Sequence, residues 1–368
     1  MKYKFKKIKN SFKQTGYSLF KIVYGNIQGV ILPKESSRIK KSIVKKINNL
    51  EYRIFTIQDC RVYTDTINNL AIILDKKLVD GPSFQLINTK NALPQNNIVF
   101  KIGTPRIKKK LKGKVFSLLT GGAGNENYWH WLFDVLPRLG LLSDKINIKE
   151  VNFFLFPSLK KKFQLETLNV LEIPKHKRVS CEEYRHFETD EIVVVDHPYV
   201  LKNDPSTEIQ NIPDWIIKWL RNILLKKVKL KKNNFPKKFY IDRSDAKSNL
   251  SLTRKISNEK KVVEVLTKNG FSSVLLGSLT FEEQVSLFNN ATHIVGLHGA
   301  GFANLVFCRP KTFVLEFKPE TAGFMYKNLA IKNNLIYKDI SIIPHEHAGN
   351  NQQGFIEVPI NMLEEKIK

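Results

Sequence analysis

A chain of 368 residues, 42% of them hydrophobic, is long enough for two ordinary folded domains and too apolar for a disordered polymer. Its formal net charge of +26 is large and uneven, while Cys60, Cys181 and Cys308 are too few and too scattered for a disulfide framework or a cysteine metal site. That cysteine usage fits a reducing cytoplasm; no apolar run reaches the ~20 residues of a membrane span, and the N-terminus lacks a secretory h-region and cleavage site.

Residues 1–25, MKYKFKKIKNSFKQTGYSLFKIVYG, interleave lysines with Phe5, Ile8, Phe12, Tyr17, Leu19, Phe20 and Ile22. Phe5, Ile8 and Phe12 recur at helical spacing, so the segment reads as basic and amphipathic. Such a segment lies on an anionic membrane surface or is a solvated tail, and both readings stand. Residues 26–210 form the first domain. It opens with short strands, QGVILP, YRIFTI, RVYTD, NLAIILD, IVFKI and VFSLLT, punctuated by Asn, Asp, Gly and Pro. GGAGNEN then leads into a helix, YWHWLFDVLPRLGLL. VNFFLF (151–156) reads as a buried strand, residues 158–171 as a helix and EIVVVD (191–196) as a strand. The first domain is thus α/β with a β-rich N-terminal start.

Residues 206–236 are a boundary zone, with a helix in IPDWIIKWLRNILLKKVKL and a polar break at NNFPKK. The second domain, 211–345, alternates clearly from KKFYID onward: ISNEKKVVEVLTKNG, SSVLL, TFEEQVSLFNNA, HIVGL, GFANLVF, TFVLEF, AGFMYKNLAIKNN and LIYKDI. Strands alternating with helices predict a parallel, doubly wound, Rossmann-like sheet. Residues 346–368 form a tail closing in a helix, VPINMLEEKIK. The basic clusters at 106–114 and 226–238 come with no zinc-finger or RNP signature, so nucleic acid is not the expected partner.

Three constellations could carry chemistry. In GGAGNENYWHWLFDVLPRL, His130 and Asp134 are spaced i, i+4 and share a helix face. A carboxylate beside an imidazole orients it and raises its basicity, which makes a general base for a hydroxyl. The plainer reading is a buried helix with a hydrogen-bonded histidine. Asn127 is a polar contact at the helix start, Arg138 serves a phosphate or caps the structure beyond Pro137, and Glu126 and His298 are the next candidate bases. In YIDRSDAKSNLSLTRKISNEKK, Arg243 projects from the end of the domain's first strand. Arg254 stands at the foot of the next helix, before Asn258 and Glu259. Arginine binds phosphate oxygens bidentately, although surface arginines are common. In HIVGLHGAGFANLVFCRPKTFVLEF, His298, Gly299, Ala300 and Gly301 stand where a strand ends and a helix begins. Its free N–H groups would seat a phosphate, unless the turn serves packing alone. Glu316, at the end of TFVLEF, meets a ribose or caps a helix.

Together these motifs resemble the family 61 glycosyltransferases, a group that includes bacterial capsular-polysaccharide-type enzymes. The resemblance runs from about residue 115 to about 345 and rests on NYWHWLFDVLPRL, on YIDRSD with Arg254 and Asn258–Glu259, and on HGAGFANLVF followed by VLEF. It implies two Rossmann-like domains facing a cleft (GT-B-like). It also implies inverting, metal-independent transfer from a nucleotide-diphosphate-sugar to a glycan or lipid-linked glycan, with no cofactor beyond that co-substrate. On this resemblance His130 and Asp134 are catalytic. Arg243, Arg254, Glu259, His298, Gly299, Ala300, Gly301 and Glu316 hold the donor, and Asn127 and Arg138 lie by the acceptor. The expected setting is surface polysaccharide biosynthesis in the cytoplasm, peripheral to the inner face of the membrane. The sequence alone keeps two rivals open. One is another nucleotide-binding α/β enzyme, a dehydrogenase or epimerase, although DRSDAKSN stands where G-x-G-x-x-G would be. The other is a non-enzymatic basic protein that binds membranes or polyanions.

Overall fold

The computed structural model describes residues 2–47, 50–64, 68–119, 126–231, 235–244, 254–346 and 352–368, with side chains of the first helix from residue 13 onward. The chain divides into two compact units, Met1–Gln164 with Ile173–Pro205, and Leu165–Glu172 with Ser206–Lys368.

The first unit opens with helix α1 (Lys2–Tyr24). Its strands are β1 (Gly29–Ile31), β2 (Ile39–Ile47), β3 (Leu50–Tyr63), β4 (Asn69–Leu74), β5 (Lys77–Val79), β6 (Phe84–Ile87), β7 (Lys90–Asn91), β8 (Lys109–Ser117), β9 (Phe153–Phe156), β10 (Arg178–Ser180) and β11 (His186–Val195). They form a mixed sheet in the order β1-β5-β4-β3-β11-β8-β9-β10, with β2 also paired to β3 and β6 to β4. From β11 to β10 the strands are parallel. Beyond β11 the pairings of β3 are antiparallel. The first unit therefore joins a parallel α/β patch to the β-rich start.

β4 shows why this sheet reads as a continuous apolar run. Leu70, Ile72 and Leu74 enter one core while Ala71 and Ile73 enter another, so both faces are covered. The second core also takes Val99, from IVFKI. This segment is a helix (Ile98–Ile102), not the strand its composition predicts. Asn97 caps it by accepting the Val99 N–H, and Gly103 ends it at φ 67°. The basic cluster at 106–114 lies largely in β8; Lys108, just before it, and Lys114 within it pair with Glu188 and Glu191 of β11 at 2.6 and 3.3 Å. Its charge is partly neutralised within the sheet.

In the second unit β12 (Lys238–Asp242), β14 (Ser272–Leu275), β15 (His293–Leu297), β16 (Phe313–Pro319) and β17 (Ile336–Ile342) form a parallel sheet in the order β14-β12-β15-β16-β17. Numbered within the sheet this is 2-1-3-4-5, a doubly wound order whose direction reverses between β12 and β15. Two further strands, β13 (Arg254–Ile256) and β18 (Gly354–Ile356), pair with each other, so the C-terminal segment returns to the unit. Asn258 secures it, donating to the Val358 carbonyl at 2.8 Å and accepting the Val358 N–H at 3.0 Å. The helix Phe281–Asn290 starts on a reciprocal cap. The Thr280 hydroxyl accepts the Glu283 N–H, and the Glu283 carboxylate accepts the Thr280 N–H. Among the described residues no helix is long and apolar enough to cross a membrane.

Candidate active site

The first unit carries one cluster. Trp129, Trp131, Leu132, Phe133, Val135 and Leu136 are all buried, so this helix is apolar on every side and its polar residues are exceptions. It starts at Tyr128–His130, widens into a π turn over Trp131–Val135 and resumes as an α-helix over Pro137–Ser143. In the π turn the Leu136 N–H reaches the Trp131 carbonyl at 3.1 Å, and the next residue, Pro137, has no N–H to donate. Asn127, expected as a polar contact, instead caps the helix, accepting the Trp129 and His130 N–H groups at 2.9 and 3.4 Å. The glycine run at 121–124 lies outside the described residues.

His130 Nδ1 meets Asp134 Oδ2 at 2.7 Å. The same oxygen faces Nε2 of His197 at 3.6 Å. His197 follows β11, and its Nδ1 accepts the N–H groups of Tyr199 and Val200 at 3.2 and 3.0 Å. An accepting Nδ1 leaves the ring proton on Nε2, turned toward Asp134. Burial holds the His197 pKa below its ordinary value against the pull of Asp134. Burial also favours a protonated Asp134, but the charge and hydrogen bond of His130, with those of His197, hold its carboxyl well below the usual range. For His130 burial opposes the imidazolium, and the charge and hydrogen bond of Asp134 outweigh it, so its pKa lies above the ordinary one. The side chain of His130 keeps 22% of its surface exposed, against 5% for Asp134.

Arg138 does not reach outward. It is 4% exposed and donates to the Val195 carbonyl at 3.0 Å, and burial lowers its pKa to about 10. It is a buried cation behind Asp134, not a hand for phosphate. Glu126 pairs with Lys161 at 2.9 Å.

The second unit carries another cluster, at the point where the strand order reverses. Arg243 follows β12 and His298 follows β15. The His298 carbonyl accepts from Arg243 at 3.0 Å and from Arg254 at 3.1 Å, so two guanidiniums converge on one atom. Arg254 lies on β13 rather than at the foot of a helix. Arg243 also explains a glycine. Gly299 has an extended φ of 170°, open to any residue, yet a Cβ there would stand 2.9 Å from the Arg243 guanidinium. At Gly301 a Cβ would meet Leu276 at 3.0 Å. At both positions a side chain would meet a neighbour, so these glycines answer to space.

Ala300–Phe307 is a 3₁₀ helix. Arg221 donates to the Val306 and Cys308 carbonyls at its far end, at 2.6 and 2.8 Å, a favourable place for a cation. At its near end the N–H groups of Gly299, Ala300 and Gly301 have no protein acceptor among the described residues.

Glu316 departs most from expectation. It is 1% exposed, one carboxyl oxygen meets His298 Nδ1, and the other accepts from the Tyr337 hydroxyl at 2.5 Å. Both oxygens are engaged and the group is buried, so it anchors His298 instead of standing open at the strand end where a ribose was expected. His298 is fully buried beside Tyr326, their rings 4.8 Å apart, and its Nε2 is without a partner among the described residues. A buried polar atom in that state is a ligand-binding candidate. Glu259 accepts from the Tyr240 hydroxyl at 2.6 Å, within the helix–sheet packing. Among the described residues no group of three or more His, Cys, Asp or Glu could hold a metal ion.

The first unit thus carries a carboxylate-held imidazole, and the second carries two guanidiniums and open N–H groups at a strand edge. The glycosyltransferase 61 family model matches residues 128–315, from the first residue of the His130 helix to the strand that carries Glu316. The match covers just over half of the sequence, and the chain belongs to the glycosyltransferase 61 family. No curated protein matches it. Among solved structures it is similar to the bacterial iron-containing dodecameric glycosyltransferase TibC from enterotoxigenic E. coli H10407, at 10% identity over 80% of each chain with a TM-score of 0.29. A likeness of that size carries no argument. His197, Tyr326 and Tyr337 escaped the sequence reading. For His197 the one available signal was an acid–histidine pair, Asp196–His197, directly after an apolar strand.

Proposed function

We propose that this glycosyltransferase moves a sugar, with inversion and without a bound metal, from a nucleotide-diphosphate donor to a hydroxyl of a glycan or lipid-linked glycan in surface polysaccharide synthesis. In this GT-B-like reading the second unit holds the donor and the first supplies the base. The observation that carries it is the convergence of Arg243 and Arg254 on the His298 carbonyl, beside the orphaned Nε2 of His298 and the open N–H groups of Gly299–Gly301. Cations and N–H donors at a strand-order reversal suit a diphosphate.

In the reaction His130 Nε2 takes the acceptor hydroxyl proton as that oxygen bonds to the anomeric carbon. The bond from that carbon to the diphosphate oxygen breaks, and the electron pair leaves with the nucleoside diphosphate. The arginines and N–H groups offset the charge that builds there. His130 suits the base role better than Asp134 does. Its Nδ1–H is given to Asp134, which frees Nε2, and it is the more exposed of the two. Asp134, engaged by both histidines, is then the orienting carboxylate.

Arg243→Ala tests the donor reading. Losing a charge-assisted contact should cost about 1.5–3 kcal/mol, roughly a ten- to hundredfold weaker affinity for nucleoside diphosphates in calorimetric titration. The melting temperature should hardly move. Wild-type affinity in the variant would remove this strand edge from the donor site.

A further inference from the structure

α1 has two different faces. One end of it is bolted to the first unit. The Lys108 N–H donates to the Tyr24 hydroxyl at 3.0 Å, Arg61 donates to the Tyr24 carbonyl at 3.0 Å, and the Tyr24 ring lies edge-on to His186 at 4.7 Å. Phe20 stacks on Tyr24 at 5.9 Å. The other face carries Leu19, Ile22 and Val23, exposed by 59%, 81% and 61%. Ile107, next to the Lys108 that holds Tyr24, is 78% exposed. Three large aliphatic side chains of one α1 face, and Ile107 of the loop, stand in water. Single exposed apolar residues need no account, but a group of them does.

The sequence continues the pattern. Phe5 and Phe12 lie fourteen and seven residues before Leu19, and Ile8 lies fourteen before Ile22, so helical spacing aligns them. Over residues 1–24 the chain carries seven lysines and no acid. We propose that this face of α1 docks the protein on an anionic membrane surface. The helix would lie in the interface with its apolar side in the lipid and its lysines at the headgroups. A second copy of the chain fits less well, because pairing two such helices would oppose lysines with no acid to offset them. A nucleic acid would satisfy the lysines and leave the aliphatic side chains in water. The inference does not depend on the sugar-transfer reading.

The test is co-sedimentation of the full chain with phosphatidylcholine vesicles, with and without phosphatidylglycerol, at low and high salt. The variant combines Leu19→Gln, Ile22→Gln and Val23→Gln, which keeps the charge and a good helix former at exposed positions. Wild type should pellet with the phosphatidylglycerol vesicles, less so in high salt, and stay in the supernatant with neutral vesicles. The variant should melt at the wild-type temperature and partition at least roughly tenfold less, since it loses three apolar side chains from the contact. Failure of wild type to bind, equal binding of the variant, or indifference to headgroup charge would each overturn the proposal. So would a wild-type dimer, seen by sedimentation velocity, that the variant loses. Nucleoside diphosphate titration of the variant, expected to be unchanged, keeps this test separate from that of the donor site.

Discussion

Replacing His130 with Ala is expected to lower kcat by about 10²–10⁴ while leaving donor affinity and melting temperature close to wild type, because general base catalysis is worth that much and serves only the transition state. Asp134→Ala should cost nearly as much, and the double variant hardly more than the worse single one, since the imidazole and its carboxylate act as one unit. His197→Ala should produce a smaller loss. Its ring touches the shared Asp134 oxygen from the far side, at 3.6 Å, and positions the carboxylate instead of moving a proton. Near-normal kcat in well-folded His130→Ala would return the search to Glu126 or His298.

The same pair sets a pH dependence. Burial works against the His130 imidazolium, yet the charge and hydrogen bond of Asp134 hold its pKa above the ordinary imidazole value of about 6.5. A base must be deprotonated, so kcat should rise as pH climbs through that raised pKa and level off above it. Asp134→Asn removes the carboxylate charge, so it should move this limb to lower pH while it lowers the plateau. Stability runs the other way. The pairing favours the protonated imidazole, so its contribution is complete below the unfolded-state pKa of His130 and is lost as pH rises through the folded-state value. A rate profile of Asp134→Asn with an unmoved limb would exclude the pair as the titrating unit.

The second sheet was legible because its period switches repeatedly between two and 3.6, and each change falls at a Gly, Asn or Pro. The first was harder to read. β2 hides under KKSIVKKI, where lysines outnumber the apolar residues, and only pairing along β3 reveals it as a strand. IVFKI fits either element by composition, and the choice was made by the Asn97 cap and Gly103. His130 and Asp134 stand four apart and could be seen. His197 reaches the same oxygen from another element, with no spacing to announce it. Glu316 could be placed at the end of a strand. No rule of sequence said that its side chain would turn inward, to His298 and Tyr337, instead of toward solvent.

That inward turn gives Glu316→Ala a large expected effect of a different kind. The carboxyl accepts from the Tyr337 hydroxyl and meets His298 Nδ1, and both Glu316 and His298 are buried, at 1% and 0% exposure. Truncation leaves the buried His298 Nδ1 without a partner, at about 1–3 kcal/mol, strips the half-buried Tyr337 hydroxyl of its acceptor, and opens a cavity besides. Thermal and denaturant unfolding should show a loss of several kcal/mol, a large share of the stability of an ordinary domain. Donor affinity should fall as well, because His298 Nε2 is aimed by the bond that its Nδ1 makes. Glu316→Gln keeps the shape and offers one carbonyl acceptor, but its amide group faces the second donor, so its loss should be intermediate. A carboxylate that met a ribose would behave otherwise. Either change would then weaken nucleotide binding and leave the unfolding transition where it was. Measuring both on Glu316→Ala separates the two roles, and an unmoved melting temperature with lost nucleotide affinity would place Glu316 on the donor after all.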